Sequence, residues 1–387
     1  MKMLYIVLDG AGDEPIEQLK GKTPLDFAKT PNLDKLALKS RLGIMHLLPH
    51  GIAPESDEAA LALLGFDPFK YHKGRGPLEA FGAGIIGRNF KNKVILRCNF
   101  AKINRNEITN TEYLPTKEEI RNIESIKIKN VEFKYTYGHR GVLILSGKFS
   151  ANISNTNPTY QIVREKVTTA LPKAGKLFLL QCRPLDSSAS AKNSAKLVNE
   201  FTKQSRIILK NKIIISRGAG SSLPNIKITS RWTMLADSLI DRAIGRLAGM
   251  HVVEKQADYK KLFSQIKTGL SNGNVYVQIK KPDSLAHKGD FKGKAKGFEK
   301  LDRELFSKIY SLIVQNRKLK TENIQLCITA DHCTSSKILA HTSAPVPVLL
   351  YDGKKSDSIR RFSENCCRYG SLGMIHGTGL FKLLLAR

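Results

Sequence analysis

The fold is indicated by residues 4–9, LYIVLD, in which an uninterrupted apolar run leads directly into Asp9. Continuous apolar runs of about 4–8 residues, rich in β-branched side chains, are typical of strands buried on both faces. Five more runs of this kind follow along the chain, at residues 94–100, 212–216, 275–280, 324–329 and 346–351. The pattern therefore predicts six buried parallel strands.

Helical patterns separate several of these runs. One begins after Thr30, and two others cover residues 231–250 and 298–314. An alternation of buried strands with helices predicts an α/β fold in which the sheet is doubly wound.

The segment from residue 102 to residue 185 has a different pattern. It breaks into short polar pieces with hairpin-like strands at 132–136, 142–146 and 176–181, and a Ser/Ala-rich stretch at 186–195 has the composition of a linker. A chain of 387 residues is long enough for two domains. We therefore predict a larger domain formed by residues 1–101 and 186–387, with a smaller α+β domain, residues 102–185, inserted into it.

The chain is strongly basic, with a formal net charge of +29 from 63 Lys and Arg against 34 Asp and Glu. This excess is compatible with a phosphorylated substrate, with nucleic acid, or with a lysine-rich surface that has no specific partner. Because the lysines are dispersed and no nucleic-acid-binding motif occurs, we do not expect nucleic acid as a partner.

Cysteine usage and apolar content indicate a cytoplasmic protein that does not enter a membrane. The six cysteines are scattered and form no CxxC pair, which is typical of reduced thiols in a cytoplasmic protein. No apolar run approaches the length of a membrane span, so no membrane is expected as a partner. The sequence does not indicate an oligomeric state.

Acidic residues and histidines follow three of the predicted strands where each strand ends. These side chains are Asp9 after residues 4–8, Asp283 and His287 after residues 275–280, and Asp331, His332 and His341 after residues 324–329. Ligands of α/β proteins gather at the carboxyl ends of the strands, and carboxylates together with imidazoles bind divalent metal ions. The sequence therefore predicts a metal site at this edge of the sheet.

A serine with two possible roles lies in the stretch PESDE, residues 54–58, directly before a helical pattern at residues 59–64. A hydroxyl such as that of Ser56 is commonly the N-cap of a helix. The same position suits a nucleophile, because a metal ion lowers the pKa of a hydroxyl and helix amides bind an incoming phosphate. With the metal site, Ser56 predicts an enzyme that moves or removes a phosphoryl group.

A series of motifs resembles the archaeal cofactor-independent phosphoglycerate mutases of the alkaline phosphatase superfamily. In chain order these are LDGAGDEP, GKTPLDFAKTPNLDKLA, SDEAALALLGFDP, KGRGPLEAFGAGI, RCNFA, RGAG, AIGRLAGM, PDSLAHKGD, ADHCTSSK, AHTSAPVPVLL and LGMIHGTGL. The inserted segment matches mainly in GHRGVLILSG. The resemblance implies an alkaline-phosphatase-like fold and the interconversion of 3-phosphoglycerate and 2-phosphoglycerate in glycolysis and gluconeogenesis.

The resemblance also implies how the site would work. One divalent ion would be held by Asp9, Ser56, Asp331 and His332, and a second by Asp283, His287 and His341. The ions would be manganese, magnesium, cobalt or zinc, and 2,3-bisphosphoglycerate would not be required. Ser56 would accept the phosphoryl group and return it to the other hydroxyl of the reoriented glycerate, while the inserted domain would close over the substrate and exclude water.

The substrate carries about three negative charges, so arginine side chains are expected around it. Arg75 lies between two glycines in GRGP, which let a backbone approach an anion, and Arg217 follows a predicted strand. His139 and Arg140 lie in the inserted segment. We expect these four residues to bind the substrate, with a surface turn or another structural role as the alternative for each.

Five positions depart from the pattern of the resembling family, namely Glu55, Glu58, Ala60, Asn155 and Asn157. Two glutamates beside a phosphorylated serine would repel it, and an amide cannot act as a general base where the family tends to be acidic. Restoring an aspartate at position 155 or 157 would then raise the ratio of mutase to phosphatase activity. Two alternatives stay open: a related metal-dependent phosphohydrolase or phosphomutase with another substrate, and a non-enzymatic anion or nucleic-acid binder.

Overall fold

The computed structural model describes residues 2–172, 175–319 and 324–385. The chain forms two compact units, a larger one of Met1–Pro68 with Ile226–Arg387 and a smaller one of Phe69–Asn225. The smaller unit therefore extends beyond the predicted insertion of residues 102–185 at both ends. None of the helices in the described part of the chain is long and apolar enough to cross a membrane.

The larger unit is built on an eight-stranded sheet. In sheet order its strands are His251–Glu254, Trp232–Ala236, Asn274–Ile279, Lys2–Leu8, Ile324–Thr329, Val346–Tyr351, Arg41–His46 and Gly373–His376. Val346–Tyr351 is antiparallel to both of its neighbours, and the other pairs are parallel. The predicted α/β class is confirmed, although Val346–Tyr351 was wrongly predicted to be parallel. A strand that is buried on both faces has the same apolar pattern in either direction.

Helices and one short ribbon complete the larger unit. The helices are Glu17–Leu19, Pro24–Phe27, Pro31–Ala37, Ser56–Leu63, Leu239–Leu247, Tyr259–Asn272, Lys281–Ala286, Phe291–Leu301, Asp302–Phe306, Ser307–Leu319, Glu364–Cys367 and Gly379–Leu385, and the ribbon pairs Cys333–Ser335 with Ala340–Thr342. The prediction of a single helix over residues 231–250 is wrong, because its first part is the strand Trp232–Ala236. The helical pattern over 298–314 is confirmed.

The smaller unit is built on an antiparallel sheet. Its strands are Val131–Tyr135, Arg140–Ser146, Lys93–Asn104, Glu107–Asn110, Leu177–Phe178 and Lys212–Gly220, with a separate hairpin of Tyr160–Arg164 and Val167–Ala170. Its helices are Pro68–Tyr71, Arg75–Gly82, Lys117–Glu124 and Ala189–Leu209. The last of these begins inside the predicted linker, where the Ser188 hydroxyl accepts a hydrogen bond from the first turn of the helix.

Two runs that we predicted as parallel strands of the large sheet, 94–100 and 212–216, instead pair antiparallel with each other in the smaller unit. One face of strand Lys93–Asn104 packs against helix Ala189–Leu209, through contacts that include Phe100 and Phe201. The other face is covered by apolar clusters that include Ile95 and Ile103. Both faces are therefore buried, and an antiparallel strand acquires the continuous apolar pattern of a parallel one.

Candidate active site

The three strands that lead into the predicted metal ligands are neighbours in the large sheet. They lie in the order Asn274–Ile279, Lys2–Leu8 and Ile324–Thr329, and all three are parallel. Their carboxyl ends therefore meet at one edge, and the backbone amide of Asp283 donates a 3.0 Å hydrogen bond to the carbonyl of Asp9. The structure thus brings the strand-end residues together.

The six Asp and His side chains form two groups. In each group, one potential ligand atom from every residue lies within 4.8 Å of the others. The first group is Asp9, Asp331 and His332, and the second is Asp283, His287 and His341. This division is the one that the family resemblance implies for the Asp and His ligands of two ions.

The first group is buried and crowded with negative charge. His332 Nε2 lies 3.6 Å from Asp9 Oδ1 and 3.3 Å from Asp331 Oδ2. Burial raises the pKa of Asp9 to about 7 and raises the pKa of Asp331 well above its usual range. Burial also keeps the pKa of His332 well below its usual range, with His341 adding to the effect, so His332 is neutral. Neighbouring buried carboxylates of this kind favour a cation between them.

The second group holds its two imidazoles in a defined orientation. His287 Nδ1 donates to the carbonyl of Leu339 at 3.0 Å, and His341 Nδ1 donates to the carbonyl of Pro54 at 2.9 Å. The Nε2 atoms consequently face each other at 3.2 Å, and they lie 3.2 and 3.6 Å from Asp283 Oδ1. A hydrogen bond from the second ring nitrogen to a carbonyl is a common feature of metal-binding histidines.

Two residues that the sequence did not single out connect the groups. Lys280 Nζ lies 2.9 Å from Asp9 Oδ2 and 3.0 Å from Asp283 Oδ2. Thr334 Oγ1 donates to Asp283 Oδ1 at 3.0 Å and accepts from His332 Nδ1 at 3.0 Å. Lys280 is the last residue of an apolar run, and this position alone does not distinguish it from an ordinary strand end.

The side chains of the first group fit a metal ion. Among the described residues, the buried atoms Asp9 Oδ1 and His332 Nε2 have no hydrogen-bond partner. Because Thr334 Oγ1 donates its own proton to Asp283, it accepts a hydrogen bond from His332 Nδ1, and the unprotonated Nε2 of His332 lies next to the carboxylates. A lone pair and a carboxylate oxygen this close together repel each other unless a cation lies between them. Carboxylate and imidazole donors suit manganese, cobalt or zinc, and carboxylates also suit magnesium.

Ser56 is the first residue of helix Ser56–Leu63, and Glu55 is the residue in the cap position. Glu55 and Glu58, the two glutamates that depart from the family pattern, both have partners nearby. Glu58 accepts a 2.9 Å hydrogen bond from the backbone amide of Glu55, and Glu55 Oε1 lies 3.2 Å from His341 Nδ1. Burial lowers the pKa of His341, but Glu55 and Asp283 outweigh it, and the pKa lies well above its usual range. The start of this helix is thus joined to a candidate metal ligand.

The smaller unit contains a cluster of four arginines around one glutamate. Arg75, Arg97 and Arg217 are buried, Arg140 is half-buried, and the buried Glu79 has its Oε2 3.7 Å from Arg75 Nε. Burial raises the pKa of Glu79, but Arg140 and the other three arginines outweigh it, and the pKa is lowered. Burial and the neighbouring arginines lower the pKa of Arg97 to about 9. Four guanidinium groups therefore act on one buried carboxylate.

The arginine cluster lies on one face of the antiparallel sheet. Arg217 is the direct register partner of Arg97, and Arg140 is the partner of Asn99 on the opposite side. Because strand side chains alternate between faces, Arg97 and Asn99 point the same way, and so do their partners. The sequence analysis missed Arg97, although a charged residue inside the apolar run VILRCNF was a signal that could have identified it.

The glycines around Arg75 allow close packing within the smaller unit. A Cβ on Gly76 would lie 2.1 Å from the carbonyl oxygen of Ile95, and one on Gly74 would lie 2.5 Å from that of Ala219. Gly74 also has a φ of +103°, which favours glycine. These glycines let the start of helix Arg75–Gly82 approach two strands of its own unit, and this packing positions Arg75.

His139, another predicted substrate residue, is neutral in this environment. Its Nε2 accepts a 3.4 Å hydrogen bond from Arg140 Nε. Burial lowers the pKa of His139 to about 3, and Arg140 and Arg97 contribute to the lowering. At neutral pH this side chain is a weak base, but it can orient the Arg140 guanidinium.

Both asparagines of the stretch 154–158 are buried and hydrogen-bonded. Asn155 Oδ1 accepts from the backbone amide that follows Arg217, and its Nδ2 donates to the carbonyl of Tyr160. The Tyr160 ring lies 3.7 Å from the guanidinium carbon of Arg217. Asn157 Oδ1 accepts from both the amide and the hydroxyl of Thr159. Asn155 therefore helps to position Arg217, and Asn157 shapes the loop that carries Tyr160.

Comparison with known proteins gives a consistent result over nearly the whole chain. A family model described as 2,3-bisphosphoglycerate-independent phosphoglycerate mutase matches residues 37–214, and a model of the Metalloenzyme superfamily matches residues 245–387. The 2,3-bisphosphoglycerate-independent phosphoglycerate mutase of Aeropyrum pernix is 33% identical over 97% of this chain and 97% of its own length. That of Methanopyrus kandleri is 32% identical over 99% of this chain and 95% of its own length.

Two solved structures share the fold. A protein from Pyrococcus horikoshii superimposes with a TM-score of 0.71 at 24% identity, covering 99% of this chain and 96% of that one. The cofactor-independent phosphoglycerate mutase of Thermoplasma acidophilum superimposes with a TM-score of 0.59 at 25% identity, covering 100% of this chain and 99% of that one.

Proposed function

Because the chain belongs to the family of 2,3-bisphosphoglycerate-independent phosphoglycerate mutases, a family of metalloenzymes, we propose that it interconverts 3-phosphoglycerate and 2-phosphoglycerate in the cytoplasm. The reaction would serve glycolysis and gluconeogenesis without 2,3-bisphosphoglycerate. The observation that carries the proposal is the pair of Asp/His groups at one sheet edge, joined through His341 to the start of the helix that carries Ser56.

Two divalent ions would be held by these groups. Asp9, Asp331 and His332, with Ser56, would bind one ion, and Asp283, His287 and His341 would bind the other. Bound ions of this kind lower the pKa of a hydroxyl and neutralise phosphoryl oxygens. The mixed carboxylate and imidazole donors suit manganese, cobalt or zinc, with magnesium as a further candidate.

Ser56 would be the nucleophile. Its Oγ would lose its proton and form a bond to the phosphorus of 3-phosphoglycerate, while the bond from phosphorus to the 3-oxygen breaks and that oxygen takes up a proton. The 2-hydroxyl of the reoriented glycerate would then give up a proton and attack the phosphoserine, which restores the Ser56 hydroxyl. The first position of helix Ser56–Leu63 suits this role, because the amides of the first turn can bind phosphoryl oxygens.

The arginine cluster of the smaller unit would bind the substrate. Arg75, Arg97, Arg140 and Arg217 lie around Glu79, and a group of guanidinium groups suits the roughly three negative charges of a phosphoglycerate. Guanidinium groups bind both phosphate and carboxylate through paired hydrogen bonds. His139 would orient Arg140.

A metal-dependent phosphohydrolase is a second candidate, and one observation favours it. Asn155 and Asn157 are amides at positions where the resembling family tends to be acidic, and neutral His139 is a weak base. If no other group relays the proton to the second hydroxyl, water would compete for the phosphoserine.

The decisive experiment measures both products from 3-phosphoglycerate with manganese present. Formation of 2-phosphoglycerate is followed by coupling to enolase, and release of inorganic phosphate is followed in parallel. A mutase gives 2-phosphoglycerate with little phosphate, and loses activity on chelation. Phosphate as the main product would support the phosphohydrolase, and full activity after exhaustive chelation would contradict both metal-dependent mechanisms.

A further inference from the structure

One lysine of the larger unit, Lys294, is entirely buried. It lies in helix Phe291–Leu301, and its ammonium donates three hydrogen bonds, to the carbonyls of Gly12 and Thr334 at 2.9 and 3.1 Å and to Asp13 Oδ2 at 2.9 Å. A lysine ammonium has three donors, so each of them has an acceptor. Neither side chain of the ion pair between Lys294 and Asp13 is exposed to solvent.

The ammonium of Lys294 joins the segments that follow all three ligand-bearing strands. In chain order, Gly12 lies in the segment after the first of these strands, and Thr334 lies in the segment after the third. The helix that carries Lys294 comes directly after the segment that holds Asp283 and His287. A single buried cation is therefore bonded to, or carried by, each segment that supplies candidate metal ligands.

Further hydrogen bonds extend these connections. The Gly12 carbonyl also accepts a 3.0 Å bond from the Thr334 amide, and Asp13 accepts bonds from the amide and the hydroxyl of Ser336 at 3.0 and 2.6 Å. The hydroxyl of Thr334 in turn bonds one side chain of each Asp/His group. The ion pair is thus linked to both groups through Thr334.

We propose that Lys294 and Asp13 are positioning residues, which fix the spacing of the two Asp/His groups for metal binding without contacting the metal ions. A buried ion pair is a weak source of stability, since well-packed apolar side chains often serve as well or better. Its hydrogen bonds instead fix where the ligand-bearing segments lie, and metal affinity is sensitive to such outer contacts. The proposal rests on the metal binding proposed above.

The test uses the double variant Lys294→Met/Asp13→Asn, which removes both charges together. Methionine keeps an apolar stem, and asparagine can still accept the bonds from the amides of Glu14 and Ser336. The matched control is Lys255→Met/Asp237→Asn, which removes an ion pair of 3.0 Å that follows two other strands of the same sheet. Manganese affinity is measured by calorimetry, and stability is measured by thermal unfolding.

The double variant should bind manganese about 10–100-fold more weakly than the intact chain, while the control keeps its affinity. Lys294→Met alone leaves the buried Asp13 carboxylate without its counter-charge, so it should unfold at a lower temperature than the double variant. Manganese affinity should not recover when the second substitution restores stability. This separation distinguishes a positioning role from a merely structural one.

Ser336→Ala is a milder variant that tests the proposal even where the double variant fails to fold. It removes one hydrogen bond to Asp13 Oδ2, leaves the ion pair in place and should weaken manganese binding a few-fold. Unchanged affinity in Ser336→Ala or in the folded double variant would overturn the positioning role alone, and so would an affinity that follows the unfolding temperature. Failure of the intact chain to bind manganese would overturn the proposed metal site as well.

Discussion

The larger unit and the smaller unit each bury a cluster of charged side chains, but the two clusters have opposite signs. At the ends of three parallel strands, the larger unit collects carboxylates and imidazoles, with Lys280 between Asp9 and Asp283. On one face of an antiparallel sheet, the smaller unit collects four arginines around Glu79. A group of buried charges of one sign favours counter-charges of the other sign. The first therefore suits metal cations, and the second suits a multiply charged anion.

The architecture of each cluster matches its chemistry. Strand ends deliver short acidic side chains and histidines from successive loops, so that several donors can surround one point. A sheet face instead presents long side chains in parallel rows, as with Arg97 and Arg217 on paired strands. Rows of guanidinium groups can contact several oxygens of an extended phosphorylated acid.

The largest predicted effect removes the nucleophile. Ser56→Ala should lower mutase turnover by at least about 10⁴-fold, because alanine has no oxygen to accept the phosphoryl group. Manganese binding by both Asp/His groups should persist, as measured by calorimetry. Ser311→Ala, at an exposed helical serine, is the control and should keep full turnover. Substantial mutase turnover by Ser56→Ala would refute covalent transfer through this residue.

The second prediction distinguishes the arginine cluster, which would bind the substrate, from the Asp/His groups, which would bind metal ions. Arg97→Gln should raise the KM for phosphoglycerate about 10–100-fold, because it removes hydrogen bonds to a charged group that are worth about 1.5–3 kcal/mol. Its manganese affinity should stay unchanged. His341→Ala should show the opposite pattern, with weaker manganese binding at one site.

Arg105→Gln is the matched control for the arginine cluster, since Arg105 is an exposed arginine of the same unit. It should leave both the KM and the metal affinity unchanged. If Arg97→Gln altered manganese binding but not the KM, the assignment of anion binding to the arginine cluster would be wrong.

The third prediction concerns the pH dependence of metal binding by the buried carboxylates. Burial raises the pKa of Asp9 to about 7, so below that pH a bound proton must leave before a metal ion can enter. Manganese affinity should therefore fall as the pH is lowered from about 8 to 6, by up to about tenfold per pH unit for each proton released. Calorimetry in two buffers of different ionisation enthalpy measures the proton release directly. A manganese affinity that is constant over this range, without proton release, would contradict the raised pKa.

The smallest predicted effect concerns the two asparagines. Asn157→Asp can accept the same two hydrogen bonds from Thr159, so it can add a carboxylate without losing a contact. Asn155→Asp loses the donor to the carbonyl of Tyr160, and therefore weakens the support of Arg217. We expect a few-fold higher ratio of mutase to phosphatase activity for Asn157→Asp and a few-fold higher KM for Asn155→Asp. Identical behaviour of the two variants would show that these contacts do not matter.

Much of the candidate metal site was predictable because its residues adjoin strands that are evident in the sequence. Asp9 and Asp331 follow their strands after at most one residue, and local apolar runs identify those strands. The motifs of the resembling family then suggested the division into two ligand groups, which the positions along the chain could not provide. The predicted role of Ser56 had the same origin, because a serine before a helix is otherwise an ordinary cap.

The apolar pattern by itself determined which segments are buried strands, including the three that lead into the Asp/His groups. Only the tertiary structure decided which strands pair and in which direction, and so it separated 94–100 and 212–216 from the large sheet. It also placed Arg97 opposite Arg217 and Lys294 beside Asp13, residues that lie far apart in sequence. The reason is physical: burial leaves a local pattern of apolar residues, whereas register depends on hydrogen bonds between distant segments.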